Sequence, residues 1–191
     1  KTLYAYIANS SALDDLDCFS MFGTNSFNMV WEKVCAEVLD NQLQKPIGGL
    51  RLPVPLAEQY HDMRYKKLID LIDKPQWSGT APNGEPFVKQ AEDTLIPDLI
   101  SIVNVDGHCQ FIIFDAKYYN IQLEHNKKLR GQPGIESITK QYLYQLVYQP
   151  FVDAHQIGTV KNCFLMPTEM SEIIEKGSVS LAMMKTLGLE D

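Results

Sequence analysis

Hydrophobic positions recur along this chain in two rhythms. In FNMVWEKVCAEVLDNQL, residues 27–43, Phe27, Val30, Trp31, Val34, Cys35, Val38 and Leu39 follow an i, i+3, i+4, i+7 spacing. That spacing predicts an amphipathic helix. Asn25 and Ser26 offer side-chain oxygens as N-caps, and Pro46, Gly48 and Gly49 end the element. A second helix is predicted over 135–149, IESITKQYLYQLVYQ, with Glu136 or Ser137 near its start. Ile138, Tyr142, Gln145, Leu146 and Gln149 trace one of its sides. Residues 99–103 and 110–118 are instead rich in Ile, Val, Phe and Tyr on both alternating faces. They predict two strands of a sheet covered on both sides. Asp106-Gly107 between them predicts a tight hairpin turn. A further strand is predicted over 157–166, ended by Pro167.

The remaining stretches are less regular. Residues 50–95 carry Pro53, Pro55, Pro75, Pro82 and Pro86 and a Pro-Asn-Gly turn at 82–84. They predict short strands and loops, with one strand near 68–72. Residues 120–134 are polar and glycine-bearing and predict a mobile loop; 171–191 predict a short helix or strand. Residues 1–26 hold an acidic cluster, Asp14, Asp15 and Asp17, and predict no definite element. A hairpin followed by a crossover helix and another strand gives an α/β fold, a mixed β-sheet flanked by helices.

With 191 residues, the chain predicts a single domain able to bury a full core. It begins with Lys1, so it is expected to be part of a longer chain. No apolar run approaches the length of a membrane span. Cys18, Cys35, Cys109 and Cys163 form no C-x-x-C pair, and His61, His108, His125 and His155 have no zinc spacing. Free thiols in a reducing cytoplasm are the expectation.

Net charge is −7 with a pI near 5.1, which argues against a nucleic-acid partner. Local charge argues the other way. Between Tyr118 and Gln145, Lys127, Lys128, Arg130 and Lys140 face only Glu124 and Glu136, four cations against two acids. This stretch follows directly on the hairpin.

The hairpin's turn fixes where its charges fall. With Asp106 and Gly107 as the two central residues, paired residue numbers sum to 213: Val105 faces His108, Ile102 faces Phe111, and Asp98 faces Asp115. Opposed residues on antiparallel strands share a face, with Cα atoms roughly 4.5–5.5 Å apart. Lys117, two residues past Asp115, shares it too. Two facing carboxylates repel, so a counter-cation is expected. A divalent ion such as Mg²⁺ takes hard oxygen ligands of this kind. Glu32, beside Trp31 on the first helix, is a candidate further acid, bound directly or through water. A one-residue slip would put the two aspartates on opposite faces.

These residues resemble a known family. Pro97-Asp98 followed by Asp115-Ala116-Lys117 is the PD-(D/E)xK signature of restriction-endonuclease-like nucleases. The blocks FNMVWEKVC, PDLI, FDAKYY and PGIESITKQYLYQ, in that order, look like the LlaJI-type restriction endonucleases, over roughly residues 27–166. Those are similar to the nuclease subunit of McrBC-like systems. The resemblance implies an αβββαβ-type core and Mg²⁺-dependent cleavage of double-stranded DNA. It also implies a GTP-hydrolysing (AAA+) partner subunit and leaves a homodimer open. It further implies that Asp98 and Asp115 hold the metal with help from the Ala116 carbonyl. Lys117 would orient or deprotonate the attacking water. Glu32 would be the helix acid. Gln141 matches a glutamine that touches the lysine region or the DNA backbone. Relatives often carry Q-x-x-x-Y, whereas here position 145 is Gln and the tyrosine is Tyr144. Lys127, Lys128, Arg130 and Lys140 are expected to meet the DNA backbone. Two other readings stay open: a silent module of the same fold binding DNA or a partner NTPase, and a different two-carboxylate enzyme such as a glycosidase.

Overall fold

The computed structural model describes residues 26–185. Along the chain run α1 (Phe27–Val38), β1 (Gln76–Thr80), β2 (Pro86–Gln90), β3 (Leu99–Val105), β4 (His108–Ala116), α2 (Ile135–Ala154), β5 (Thr159–Leu165) and the single turn α3 (Ala182–Lys185). Strands β3, β4 and β5 form the central mixed sheet: β3 and β4 are antiparallel, and β5, reached through α2, lies parallel to β4. A parallel neighbour requires a crossover of this kind.

The β3–β4 register runs from Val105↔His108 to Leu99↔Phe114, every pair summing to 213. Asp106 (φ 51°) and Gly107 (φ 81°) both adopt the left-handed conformation, the requirement of a two-residue hairpin turn. The Gly107 N–H donates to the Asn104 side chain at 3.0 Å.

Alternation along these strands builds two cores. One face carries Ile100, Ile102, Phe111 and Ile113 against Tyr144, Tyr148, Phe151 and Val152 of α2. The other carries Leu99, Phe114 and Ala116 against Cys35, with Trp31, Leu39 and Leu165 packed alongside. The sheet is thus covered on both sides, which explains why both faces of its strands are apolar.

Several elements differ from expectation. The first helix stops at Val38 rather than 43. Asp40 turns into the left-handed region (φ 48°), and the Asn41 side chain accepts from the N–H groups of Leu43 and Ile100 at 3.0 and 3.1 Å. Asp and Asn compete with helix through such local bonds. Residues 39–43 then line the β3 edge, where the Gln42 N–H donates to the Ile100 carbonyl at 2.7 Å. The Gln42 side chain reaches the Ile102 carbonyl at 3.2 Å. Helix α1 buries Cys35, with Trp31 half-buried, whereas Phe27, Val30, Val34 and Val38 are exposed.

The strand expected near 68–72 is a 3-10 helix, Leu68–Leu71, held by Asp70, whose carboxylate accepts from the Lys67 N–H at 2.8 Å. Helix α2 runs through Pro150 to Ala154, and its buried side is Gln141, Tyr142, Tyr144, Tyr148, Phe151 and Val152. Of the expected stripe only Tyr142 is fully buried, because α2 turns its tyrosines to the sheet and leaves Leu146 exposed. The Pro-Asn-Gly turn does join two strands, β1 and β2, as a separate two-stranded sheet.

Among the histidines, His155 is fully buried. Its Nε2 accepts from the Ala57 N–H at 3.1 Å and its Nδ1 lies 2.7 Å from the Phe151 carbonyl, a bridge between a loop and the end of α2. Cys35, Cys109 and Cys163 are free thiols. Cys18, Asn25 and the acidic cluster at 14–17 lie outside the described residues. Among the described residues no helix is long and apolar enough to cross a membrane.

Candidate active site

The open end of the β3–β4 hairpin gathers the charged residues. Asp98 stands one rung beyond Leu99↔Phe114, and its carboxylate accepts the backbone N–H of Ala116 at 2.7 Å. Asp115 and Lys117 meet directly. Asp115 Oδ1 accepts a hydrogen bond from Lys117 Nζ at 3.0 Å. Oδ2 lies 2.9 Å from the same nitrogen, yet it is buried and accepts no directed hydrogen bond. Lys117 is itself anchored, its backbone N–H donating to the Leu165 carbonyl of β5 at 2.8 Å. That carbonyl also accepts from the Trp31 indole of α1 at 3.1 Å.

Burial governs the electrostatics. It pushes the Asp98 carboxyl up to about 6. The Ala116 N–H opposes the rise, while the charge of Asp115 and a hydrogen bond to it add to it, with a smaller push from Glu32. Burial works against the Lys117 ammonium. The hydrogen bond and charge of Asp115, with a contribution from Asp98, outweigh it and hold the pKa above the usual lysine value. Tyr144 is pushed up to about 12 by burial and then by the charges of Asp115 and Asp98. Its hydroxyl therefore stays protonated and donates to the Ile96 carbonyl at 2.9 Å, pinning the chain two residues before Asp98.

Gln141 lies one turn before Tyr144 on the buried side of α2. Both polar atoms of its side chain are buried without a hydrogen-bond partner. An unpartnered buried amide is costly. Its neighbours on the helix face the charged end of the sheet: Tyr144 feels Asp115 and Asp98, and Glu136 feels Lys117.

Glu32 is half-buried on α1 and lines a cleft of about 470 Å³ with Phe27, Asn28, Ala116, Lys117, Tyr118 and Tyr119. Among the described residues no three His, Cys, Asp or Glu side chains converge on one point. The structure brings Asp98, Asp115 and Lys117 together, and Glu32 lines the adjoining cleft with Lys117. The donor set nevertheless suits a divalent cation. Two adjacent carboxylates, the Asp98 carboxyl raised by burial and Asp115 with a buried Oδ2 that accepts no directed hydrogen bond, are what such an ion satisfies.

The expected DNA-facing cations differ in their pairing. Lys127 pairs with Glu124 at 2.8 Å and Lys140 with Glu136 at 2.6 Å. Lys128 and Arg130 are exposed and form no ion pair among the described residues. The loop carrying them is pinched shut by the Gln122–Arg130 bridge. Tyr118-Tyr119 is a signal the sequence hid: Tyr118 was expected to end the strand, whereas β4 stops at Ala116 and both tyrosines stand exposed beside Lys117.

Comparison with known proteins places the chain in a family. The family model described as LlaJI restriction endonuclease matches residues 57–188. A Bacillus subtilis (strain 168) protein named type II restriction enzyme BsuMI component YdjA is 33% identical over 152 residues, 80% of this chain. The chain spans about a quarter (26%) of that relative's length. No solved structure matches the chain.

Proposed function

Since the chain belongs to the LlaJI restriction endonuclease family, we propose that it hydrolyses phosphodiester bonds of double-stranded DNA at the Asp98–Asp115–Lys117 cluster, with Mg²⁺ as cofactor. The observation that carries this reading is the convergence of the three side chains at one strand end, with the Lys117 ammonium on both oxygens of Asp115.

Asp98 and Asp115 would hold the cation, with the Ala116 carbonyl and, through water, Glu32. When bound, the cation supplies charge neutralisation and a more acidic attacking water. The rest falls to the chain. Lys117, kept charged by Asp115, orients that water and neutralises negative charge building on the phosphate. The Ala116 N–H fixes one Asp98 oxygen. Gln141 brings an unused donor and acceptor toward the same end, suited to the lysine region or a backbone oxygen. Lys128 and Arg130 contribute sequence-independent phosphate affinity. A GTP-hydrolysing AAA+ subunit, and a second copy of the chain to cut the other strand, complete the proposed assembly.

The test is plasmid cleavage by the full chain in Mg²⁺, with and without the partner subunit and GTP. Asp98→Ala and Lys117→Ala are expected to abolish cutting while circular dichroism and thermal melting show the fold intact. Cleavage by folded Lys117→Ala at the parental rate would refute this mechanism.

A further inference from the structure

The cleft beside Lys117 has a second half that phosphate chemistry leaves unused. Strand β4 ends at Ala116, and the two residues after Lys117 are tyrosines. Phe27, in the first turn of α1, stacks on Tyr118 with ring centroids 5.7 Å apart and planes inclined by only 17°. Phe27 is 51% exposed, Tyr118 48% and Tyr119 39%. The pair is therefore not part of either core. It forms an aromatic wall in water, lining the same cleft of about 470 Å³ as Lys117 and Glu32. The volume lies within the range of small-ligand sites.

We propose that this wall binds an unstacked nucleobase of the DNA strand being cut, the base adjoining the phosphate held at Lys117. The inference rests on the nuclease reading and deepens it. A nucleotide has an anionic part and a flat π-surface, and the cleft offers both an ammonium and a near-parallel aromatic pair. Near-parallel stacking leaves the outer ring face open to continue the stack. A base within a duplex has both faces covered by its neighbours. It reaches such a wall only after leaving the helix, so the cleft selects locally unpaired DNA. The Asn28 side chain, on the same lining, offers an amide donor and acceptor to a base edge.

The experiment compares a fluorescein-labelled duplex with the same duplex carrying a small central bubble. Binding to the full chain is followed by anisotropy in EDTA across a salt series. The parent is expected to prefer the bubbled duplex. Tyr118→Ala and Phe27→Ala should weaken binding to the bubble roughly 5- to 150-fold, the loss of one base stack. The fully paired duplex and the salt slope should be unchanged, because no charge is lost. Tyr118→Phe keeps the ring and should keep the preference. Phe27→Leu, which keeps apolar bulk without a flat face, gives the same reading if an alanine variant fails to fold. A parent without preference for the bubble, or a preference that survives both alanine variants, overturns the inference and leaves the nuclease reading intact. A parent that binds neither duplex and cuts no plasmid overturns both.

Discussion

The carboxylate of Asp98 accepts the backbone N–H of Ala116 at 2.7 Å, just beyond the last rung of the β3–β4 ladder. A side chain here completes a bond that the main chain no longer makes, and it holds two candidate metal-binding residues, Asp98 and Asp115, side by side. Burial, with the charge of Asp115 beside it, discourages Asp98 from ionising in the folded state.

Stability should therefore depend on pH through Asp98. Its folded pKa, about 6, lies above the ordinary 3.8. The folded state binds the proton more tightly, so the stability linked to this group is full below pH ~4 and is lost as pH rises through about 6. Asp98→Asn keeps an acceptor for the Ala116 N–H and removes the charge. Urea melts without metal should show the variant more stable than the parent by about 1–2 kcal/mol at pH 8, allowing for water that still reaches the site. The gain should disappear at pH 4. An equal difference at both pH values would disprove the linkage.

Divalent metal should reverse that loss. Mg²⁺ binds only the deprotonated carboxylates, so its effect grows with pH. Near one hundred times the dissociation constant it should add about 2.7 kcal/mol to the parent at pH 7.5, little at pH 5, and nothing to Asp98→Ala. Chelation by EDTA should return the parent to its metal-free melting temperature. A shift of the same size in Asp98→Ala would place the ion elsewhere.

The four expected DNA-facing cations should not contribute equally. Removing a free cation that meets a phosphate lowers the salt slope of DNA binding by about 0.9. Lys128→Ala and Arg130→Ala should each show that loss. Lys127→Ala and Lys140→Ala should show less, because Glu124 and Glu136 already neutralise them. Four equal slopes would mean that these ion pairs open on binding.

Gly131 sets the shape of the loop carrying those cations. Its φ is +64°, and a Cβ there would run into the Asn120 carbonyl. Gly131→Ala combines left-handed strain with a backbone clash. It should cost about 1–3 kcal/mol, with faster hydrogen exchange at the Gln122 amide that bonds Arg130. Unchanged exchange at that amide would show that the loop tolerates the methyl group.

The site was more legible than its scaffold. The Asp106-Gly107 turn admits few geometries, so counting outward from it placed Asp98 beside Asp115 and Lys117 without any tertiary information. Helix faces were harder. Apolar positions on α1 form two stripes, and only the one holding Trp31 and Cys35 meets the sheet. Periodicity favoured Leu146 on α2, whereas the sheet takes Tyr144 and Tyr148, whose hydroxyls find the Ile96 and Leu68 carbonyls. The β1–β2 hairpin was half-visible: its turn was in the sequence, but its isolation from the central sheet was not. The Phe27–Tyr118 stack joins residues 91 positions apart in the chain, and no local pattern announces such a pair.

The Leu165 carbonyl, which accepts both the Lys117 amide and the Trp31 indole, acts as a common hinge pin for the two walls of the cleft. The wall bearing Lys117 and the wall bearing Glu32 and Phe27 both donate to one oxygen atom. Swinging α1 outward to admit a wider substrate would strip that oxygen of one of its two donors. The spacing of the two walls is thus set from β5, a strand that carries none of the candidate catalytic side chains.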